Sequence, residues 1–364
     1  MPELLSLQGQ DAGVNPMVDE EHLELLKQGV SVWNGWRSKH RNIRPDLSQA
    51  FLDSVNLREA FLSDANLREV VLHRGDFSLA DLSHADLQSA DLREACFYTT
   101  NLEKANLEDV DLVGADLREA NLAEANLKGC NLQTAVLSMA NLRDANLREA
   151  NLQETNLSFA NLSGADGCLA NLTNANLTQA DLKAAKFYTA NLSHATLYGA
   201  NLSYADLREA VFNQSNLREA DLREANLSLG VLCLANLIGA TLYKANLSHT
   251  NLSMANLCMT NLSHANLSKA VLIGTNLIGA NLYTANFQDA VLTESDLREA
   301  SLGKADLSRA NLSRANLSMS NLSGANLSHA NLSDCILHQA NLWEANLEGA
   351  CLTGTTMPDG KVCN

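Results

Sequence analysis

Histidine and cysteine are the residue types of this chain best suited to catalysis or metal binding. The chain has nine histidines and eight cysteines among 364 residues. A metal site or a Ser-His-Asp constellation requires such side chains to converge in a cleft. The cysteines lack the paired spacings of zinc sites and of disulfide frameworks, so we interpret them as reduced thiols. We therefore predict a cytoplasmic protein that is not an enzyme and that has no cofactor and no metal.

A five-residue phrase determines where these side chains lie. It reads Ala-Asn-Leu-Ser-X or Ala-Asp-Leu-Arg-Glu, and we number its positions one to five. A large apolar residue returns at position three from Leu47 to Leu352, with one exception, and Met357 keeps the period. Neither the 3.6-residue period of a helix nor the two-residue period of a strand fits this pattern. The chain must turn a corner in each phrase, so four phrases close a square coil of 20 residues.

Stacked coils predict a long, narrow rod. At about 4.8 Å per coil, about 15 coils give a rod of roughly 75 Å. Five histidines stand at the solvent-facing position five, and no two of them lie one coil apart on one face, so they do not converge. These are His84, His194, His249, His264 and His329.

The phrase resembles the signature of the pentapeptide-repeat proteins, Ala-(Asn/Asp)-Leu-X-X, over about 310 residues. The resemblance implies an all-β solenoid, the right-handed quadrilateral β-helix, here with about 15 coils. The stretch from Leu25 to Asn34 and the closing residues 357–360 resemble cyanobacterial members of that family in particular.

The sequence divides into four predicted segments. Residues 1–18 have no periodicity and are expected to form a flexible N-terminal tail. Residues 19–44 are expected to form a short α-helical cap, 45–357 the β-helix, and 358–364 a C-terminal tail.

Helical spacing of apolar residues identifies the cap. Asp19 is expected to cap the first helix, and Gly29 to divide the segment into two helices. Leu26 and Trp33 are expected to cover the open end of the core. The basic residues of 37–44 are expected to close a helix C-terminus and to face the acidic solenoid, although an acidic partner is an alternative.

Two places in the core depart from leucine. Gly167 stands at a position three, and Phe187 lies one coil later on the same face. This pair indicates either a bend or ligand notch, or a large-for-small exchange in which Phe187 fills the space. Phe77 and Phe97, also one coil apart, are expected to stack.

A charge-poor stretch, residues 226–293, is the one part of the surface that suggests a binding site. Its only formal charges are Lys244, Lys269 and Asp289. In coils of 20 residues, apolar side chains align there on two adjoining faces, which is typical of an interface. The candidate residues are Val231, Cys233, Leu234, Ile238, Met254, Cys258, Met259, Val271, Ile273 and Ile278. A third face carries possible aromatic contacts, Tyr243, Tyr283 and Trp343.

The valines at position two have a second interpretation. Val231 and Val271 replace asparagine, and either residue could pack inside a locally tighter turn instead of facing a partner.

We predict a scaffold that binds an unidentified protein partner or a second copy of itself. A formal net charge of -16 argues against nucleic-acid binding. From its composition and hydropathy we expect neither a signal peptide nor a membrane span. The family resemblance allows two alternatives, a DNA mimic that acts on a type II topoisomerase and an inert structural spacer. Arginines interleaved with the acidic residues weaken the first alternative.

Overall fold

A computed structural model describes residues 19–364, and its main body is a right-handed quadrilateral β-helix, as the sequence predicts. Parallel β-bridges join residues 20 apart, from Asp46–Asn66 to Ile336–Thr356. These bridges span 310 residues, which is about 15 coils of 20. The predicted tail at 1–18 lies outside the described residues, and the division into four segments stays a prediction.

Each phrase forms one of four faces, which we name by the numbers of their position-three residues. Face A contains positions 147, 167 and 187, and face B contains 152, 172 and 192. Face C contains 157, 177 and 197, and face D contains 162, 182 and 202. Every face continues with the same 20-residue step along the rod.

Positions one and three of the phrase point into the rod. From coil to coil the leucines at position three are almost completely buried, and the alanines at position one lie beside them. Phe77 and Phe97 stack in this core with ring centroids 4.8 Å apart and planes within 7°, which confirms the predicted pair.

Phrase 145–149 illustrates how the backbone N–H groups are satisfied. The N–H groups of Leu147 and Glu149 donate to carbonyls of the following coil at 2.6 and 3.0 Å. That of Asn146 donates to the preceding coil at 2.9 Å, and that of Ala145 closes the preceding turn at 3.1 Å. The N–H of Arg148 donates to the side-chain Oδ1 of Asn146 at 3.3 Å. Every peptide of the phrase is thereby fixed.

Asparagine at position two also links coils through its side chain. The Nδ2 group of Asn146 donates to Oδ1 of Asn126 at 2.8 Å, and that of Asn126 donates to Oδ1 of Asn106 at 2.9 Å. One side chain thus closes its own turn and extends a ladder along the rod.

Position five has a left-handed backbone. Glu149, for example, has φ of 61°, whereas position four does not, which is the pattern of a type II turn. Such a turn ordinarily favours glycine, yet Lys104, Glu219, Met259 and Phe159 adopt the same φ here. The bonds between coils hold the conformation, so position five accepts very different side chains.

Phe187 fills the space beside Gly167. A Cβ atom on Gly167 would collide with the Phe187 ring, which is completely buried. The parallel bridge between Asp166 and Lys186 is formed as in other coils. The exchange of a large for a small residue is therefore confirmed, and it leaves the bridge ladder continuous.

Two helices cap the first coil. Helix α1 is Glu20–Lys27 and helix α2 is Val30–Lys39. The carboxylate of Asp19 accepts the N–H groups of Glu21 and His22, and Gly29 separates the helices with φ of 107°. These features confirm the predicted N-cap at Asp19 and the predicted separation of the two helices at Gly29.

The cap is fastened to the rod by buried polar groups. Leu26 and Trp33 are buried, and the indole of Trp33 donates to the carbonyl of Phe61 at 2.8 Å. The guanidinium of Arg37 donates to the carbonyls of His40 and, in the first coil, Ser63 at 3.0 and 2.9 Å. Arg37 therefore closes the helix C-terminus, as predicted for this basic segment, and joins it to the coil.

The C-terminal segment 358–364 folds back onto the last coil. Val362 forms an antiparallel bridge with Thr356, and the N–H of Met357 donates to the carbonyl of Lys361 at 2.7 Å. The predicted tail thus covers part of the final sheet edge. Leu342 and Leu347 in that coil are only partly buried.

The Gly167–Phe187 exchange predicts non-additive stabilities. Gly167→Leu should overpack the core and Phe187→Leu should leave a void, each costing about 1–3 kcal/mol. The double variant restores two ordinary phrases, so its thermal unfolding midpoint should return close to that of the wild type. A double variant as unstable as the sum of the single variants would contradict this packing.

The buried guanidinium predicts a local effect at one end of the rod. Arg37→Met should speed amide hydrogen exchange in the first two coils and leave the exchange of coils beyond residue 200 unchanged, because solenoid coils contact only their neighbours. The matched control is Arg41→Met, which replaces an exposed arginine. Equal exchange in the two variants would show that Arg37 does not fasten the cap.

Candidate protein-interaction surface

The acidic charge is concentrated in the first two thirds of the rod. Residues 19–225 contain 31 acidic and 19 basic side chains, whereas 226–364 contain nine and seven. Several acids are paired within their own phrase: the Arg118 guanidinium binds Asp116 at 2.8 and 2.6 Å and lowers the pKa of that carboxyl. Arg298 binds Asp296 in the same way.

Face B carries six of the ten candidate residues. Leu234, Met254 and Ile273 are exposed, by 54%, 60% and 41% respectively. The other three are half-buried, and they are Val231, Cys233 and Val271. They occupy three successive coils, so the sequence correctly places them together on this face.

Face C carries the other four. Met259 is 71% exposed, and Ile238, Cys258 and Ile278 are half-buried on three successive coils. Met259 leans over Gly279 of the following coil, and Met254 leans over Gly274 in the same manner. All ten residues therefore lie on two adjoining faces of the same three coils, and we call this set the apolar surface.

The predicted aromatic contacts lie apart from the apolar surface, on face D. His264 stands between Tyr243 and Tyr283, with ring centroids 5.4 and 6.2 Å away and edge-to-face geometry. Lys244 lies 5.2 Å from the centroid of the Tyr243 ring. Trp343 is exposed three coils further along the rod, so it does not join the two tyrosines.

Besides residues such as Leu79, Leu169 and Met319, sequence reasoning missed three further exposed apolar residues. Met139 and Phe159, 61% and 54% exposed, lie on adjacent coils of face C. Leu229, 54% exposed, lies on face A in the same coil as Leu234. All three stand at position five, which always faces outward, so large apolar residues at that position were the available signal.

The valines at position two cannot supply the side-chain acceptor of an asparagine. The N–H of Cys233 instead donates to Oδ1 of Asn213 in the preceding coil at 3.1 Å. Val231 and Val271 still form the regular parallel bridges. Replacing asparagine by valine thus removes polar groups from face B and preserves the backbone.

The groups suited to chemistry remain dispersed. Among residues 19–364, no cluster of three histidine, cysteine or acidic side chains could hold a metal, and the cysteines are all free. Burial raises the pKa of the Cys335 thiol to about 12. A pocket of about 380 Å³ lies at the cap, lined by Arg37, Phe61 and Asp64 among others. Neither helix of the described chain has the length and apolar character needed to cross a bilayer.

The square coils define a β-helical repeat protein. Its apolar surface lies on two side faces of the rod, B and C. A family model for pentapeptide repeats matches the chain from residue 44 to residue 357 with almost no gap. This chain belongs to the pentapeptide-repeat family. The matched segments are 44–74, 62–103, 100–138, 140–166, 150–188, 175–214, 190–228, 215–253, 251–289, 290–328 and 320–357.

Solved structures of family members are similar to this chain. HetL from Nostoc sp. strain PCC 7120, involved in heterocyst differentiation regulation, is 27% identical, with 96% of this chain and all of HetL covered and a TM-score of 0.17. Rfr23 from Cyanothece 51142 is 33% identical over 40% of this chain and 64% of its own, with a TM-score of 0.14.

QnrB1, a plasmid-mediated fluoroquinolone resistance protein, is 17% identical over 49% of this chain and 82% of its own, with a TM-score of 0.31. A comparison with curated proteins finds no match.

Because Val231 and Val271 stand at position two of the phrase, the effect of replacing both by asparagine can be predicted. V231N/V271N should keep its unfolding midpoint, with a change within about 0.5 kcal/mol, because asparagine is the usual residue at this position. Thermal unfolding followed by circular dichroism measures this. A drop of several degrees would show that the valines pack inside tighter turns and do not serve a surface role.

Proposed function

We propose that this chain is a non-enzymatic scaffold that binds another protein, or a second copy of itself, through the apolar surface. The observation that carries the proposal is the coincidence of exposed apolar side chains with the charge-poor stretch 226–293. Charged residues are normally depleted at the centre of an interface, and large exposed apolar patches mark binding sites.

The geometry of the surface supports this use. Leu234, Met254 and Met259 project from position five, and their unbranched or singly branched chains can adapt to a partner. The backbone beneath them is fixed by bonds between coils, so little ordering is needed on binding. Tyr283 and Trp343 on face D are candidate additional contacts.

The remaining features fit a regulatory or structural role in the cytoplasm. The free cysteines agree with a reducing compartment, and the acidic surface disfavours nucleic acid as the partner.

A DNA mimic that acts on a type II topoisomerase is the second candidate. The excess of 31 acidic over 19 basic residues in 19–225 favours it. The bidentate Arg118–Asp116 pair weakens it, because a phosphate mimic requires a continuous field of one sign. Unchanged gyrase supercoiling in the presence of micromolar purified protein would exclude this candidate.

The scaffold proposal predicts that Ile238→Asp combined with Ile273→Asp abolishes partner capture from the native cell. Both side chains face outward, so the rod should keep its unfolding midpoint while the apolar surface gains two charges. The matched control is Ser318→Asp combined with Ser313→Asp, on the same two faces beyond the charge-poor stretch.

Two outcomes oppose the proposal. Retention of every partner and of the oligomeric state by the double-aspartate variant would contradict it. Recovery of no partner by the wild type, together with a monomeric mass, would favour an inert spacer.

A further inference from the structure

We propose that two copies of this chain pack antiparallel through face C, with Phe159 of one copy against Met259 of the other. This inference deepens the proposed function, on which it rests, by naming a second copy as the partner. It includes Met139 and Phe159, which lie outside the apolar surface.

Between residues 118 and 299, face C has two exposed apolar clusters separated by a charged coil, and the exposed Leu79 and Met319 lie on the same face outside this range. The first cluster is Met139 and Phe159, and the second is Met259 with its half-buried neighbours at 238–278. Arg218 and Glu219 lie between the clusters. A two-fold axis that crosses the rod between the coils of residues 199 and 219 exchanges the clusters, so one copy's first cluster meets the other copy's second.

This register pairs long side chains with glycines at position five. Gly199, Gly239 and Gly279 have no side chain to project. Positions 139, 179 and 219 carry methionine, glutamine and glutamate, respectively. The axis places Met139 against the partner's Gly279. It also places 179 against the partner's 239, and 219 against the partner's 199. Between positions 139 and 279, only 159 and 259 are large in both copies, and they form an apolar contact between phenylalanine and methionine.

Charged residues bracket this contact symmetrically. Arg118 and Glu119 lie one coil before Met139, and Arg298 and Glu299 lie one coil after Gly279. The same axis places Arg118 opposite the partner's Arg298 and Glu119 opposite the partner's Glu299, so each arginine lies directly across from a like charge and diagonally across from a glutamate. A shift of one coil would place Arg118 on the partner's Ile278 and would bury its charge against an apolar surface, which is unfavourable.

The centre of the face offers a matched polar contact. Arg118 and Arg298 are bound to aspartates two residues earlier, but Arg218 follows Asn216 and forms no ion pair in the described part of the chain. The hydroxyl of Tyr198 donates to Glu219 at 2.8 Å. In the proposed register Arg218 faces the partner's Tyr198 and its bound glutamate, which suits a cation–π contact and an ion pair.

The extent of the face agrees with a specific dimer. From Arg118 to Arg298 the contact spans nine coil steps, about 45 Å at 4.8 Å per step. With a face roughly 12 Å wide, the two copies together contribute roughly 1,000 Å², near the lower bound for a specific interface. The face C part of the apolar surface, which covers three coils, would alone contribute only a third of that area.

A charge-pairing experiment tests the register on the full chain. Sedimentation velocity at micromolar concentration should give the wild type twice the monomer mass of 39.3 kDa. Phe159→Lys alone and Met259→Glu alone should be monomers. F159K/M259E should be a dimer again, because each lysine then faces a glutamate of the partner. Lys104 and Glu219 already occupy position five, so these residues fit the turn.

The matched control pairs the same lysine with a glutamate in the wrong coil. F159K/M319E has the same charges on face C, but position 319 does not oppose 159, so this variant should stay monomeric. All variants should keep the wild-type unfolding midpoint.

Disulfide formation between the two chains provides a second test of the same register. Ser158 lies opposite the partner's Cys258 in the dimer, so Ser158→Cys should form a dimer linked between chains under mild oxidation. The wild type and Ser318→Cys should not, since neither places two thiols opposite each other.

A monomeric wild type, a dimeric F159K, no recovery in F159K/M259E, equal recovery in F159K/M319E, or no S158C linkage would each overturn the antiparallel dimer. Because Phe159 lies outside the apolar surface, a dimer failure with intact partner capture would leave the proposed function standing. Loss of capture only in the double-aspartate variant would then identify a different protein as the partner.

Discussion

The pairing of each coil with the next through the backbone is the interaction on which the rest of this structure depends. In a typical phrase three N–H groups donate to a neighbouring coil, one closes a turn, and the fifth donates to the side chain of asparagine or aspartate at position two. This arrangement fixes the 20-residue step and holds position five in a left-handed conformation that non-glycine residues ordinarily avoid. Once the backbone is satisfied in this way, the outward side chains are free to vary.

The buried residues of this chain therefore determine its stability, and the outward-facing residues are available for binding. Leucine and alanine fill the interior, and even the departure at Gly167 is compensated by Phe187. The surface varies from coil to coil, with paired acids and arginines in the first part and apolar residues in 226–293. The continuous ladder of bridges between residues 20 apart also gives every surface residue a defined height along the rod. Binding specificity can therefore be set by the order of side chains along one face.

The fold could be predicted from the sequence because a five-residue period with two buried positions permits few chain paths. The cap was predictable for the same reason, since Asp19, Gly29 and Trp33 obey ordinary rules for helix ends and apolar faces. Exposure was harder to predict: Val231 and Ile238 are half-buried, whereas Met259 is largely exposed. Met139 and Phe159 escaped notice because a search for a charge-poor stretch does not detect isolated residues that align across coils. The antiparallel dimer required the faces to be laid out in three dimensions.

If the apolar surface is covered by protein in solution, its methionines should be shielded from oxidation. Peroxide oxidation of Met254 and Met259, followed by mass spectrometry, can be compared between native cell extract and dilute purified protein. Met254 and Met259 are 60% and 71% exposed in the isolated chain. We expect several-fold slower oxidation of both residues in the extract, at the same free peroxide concentration. Equal oxidation rates in the two samples would contradict it.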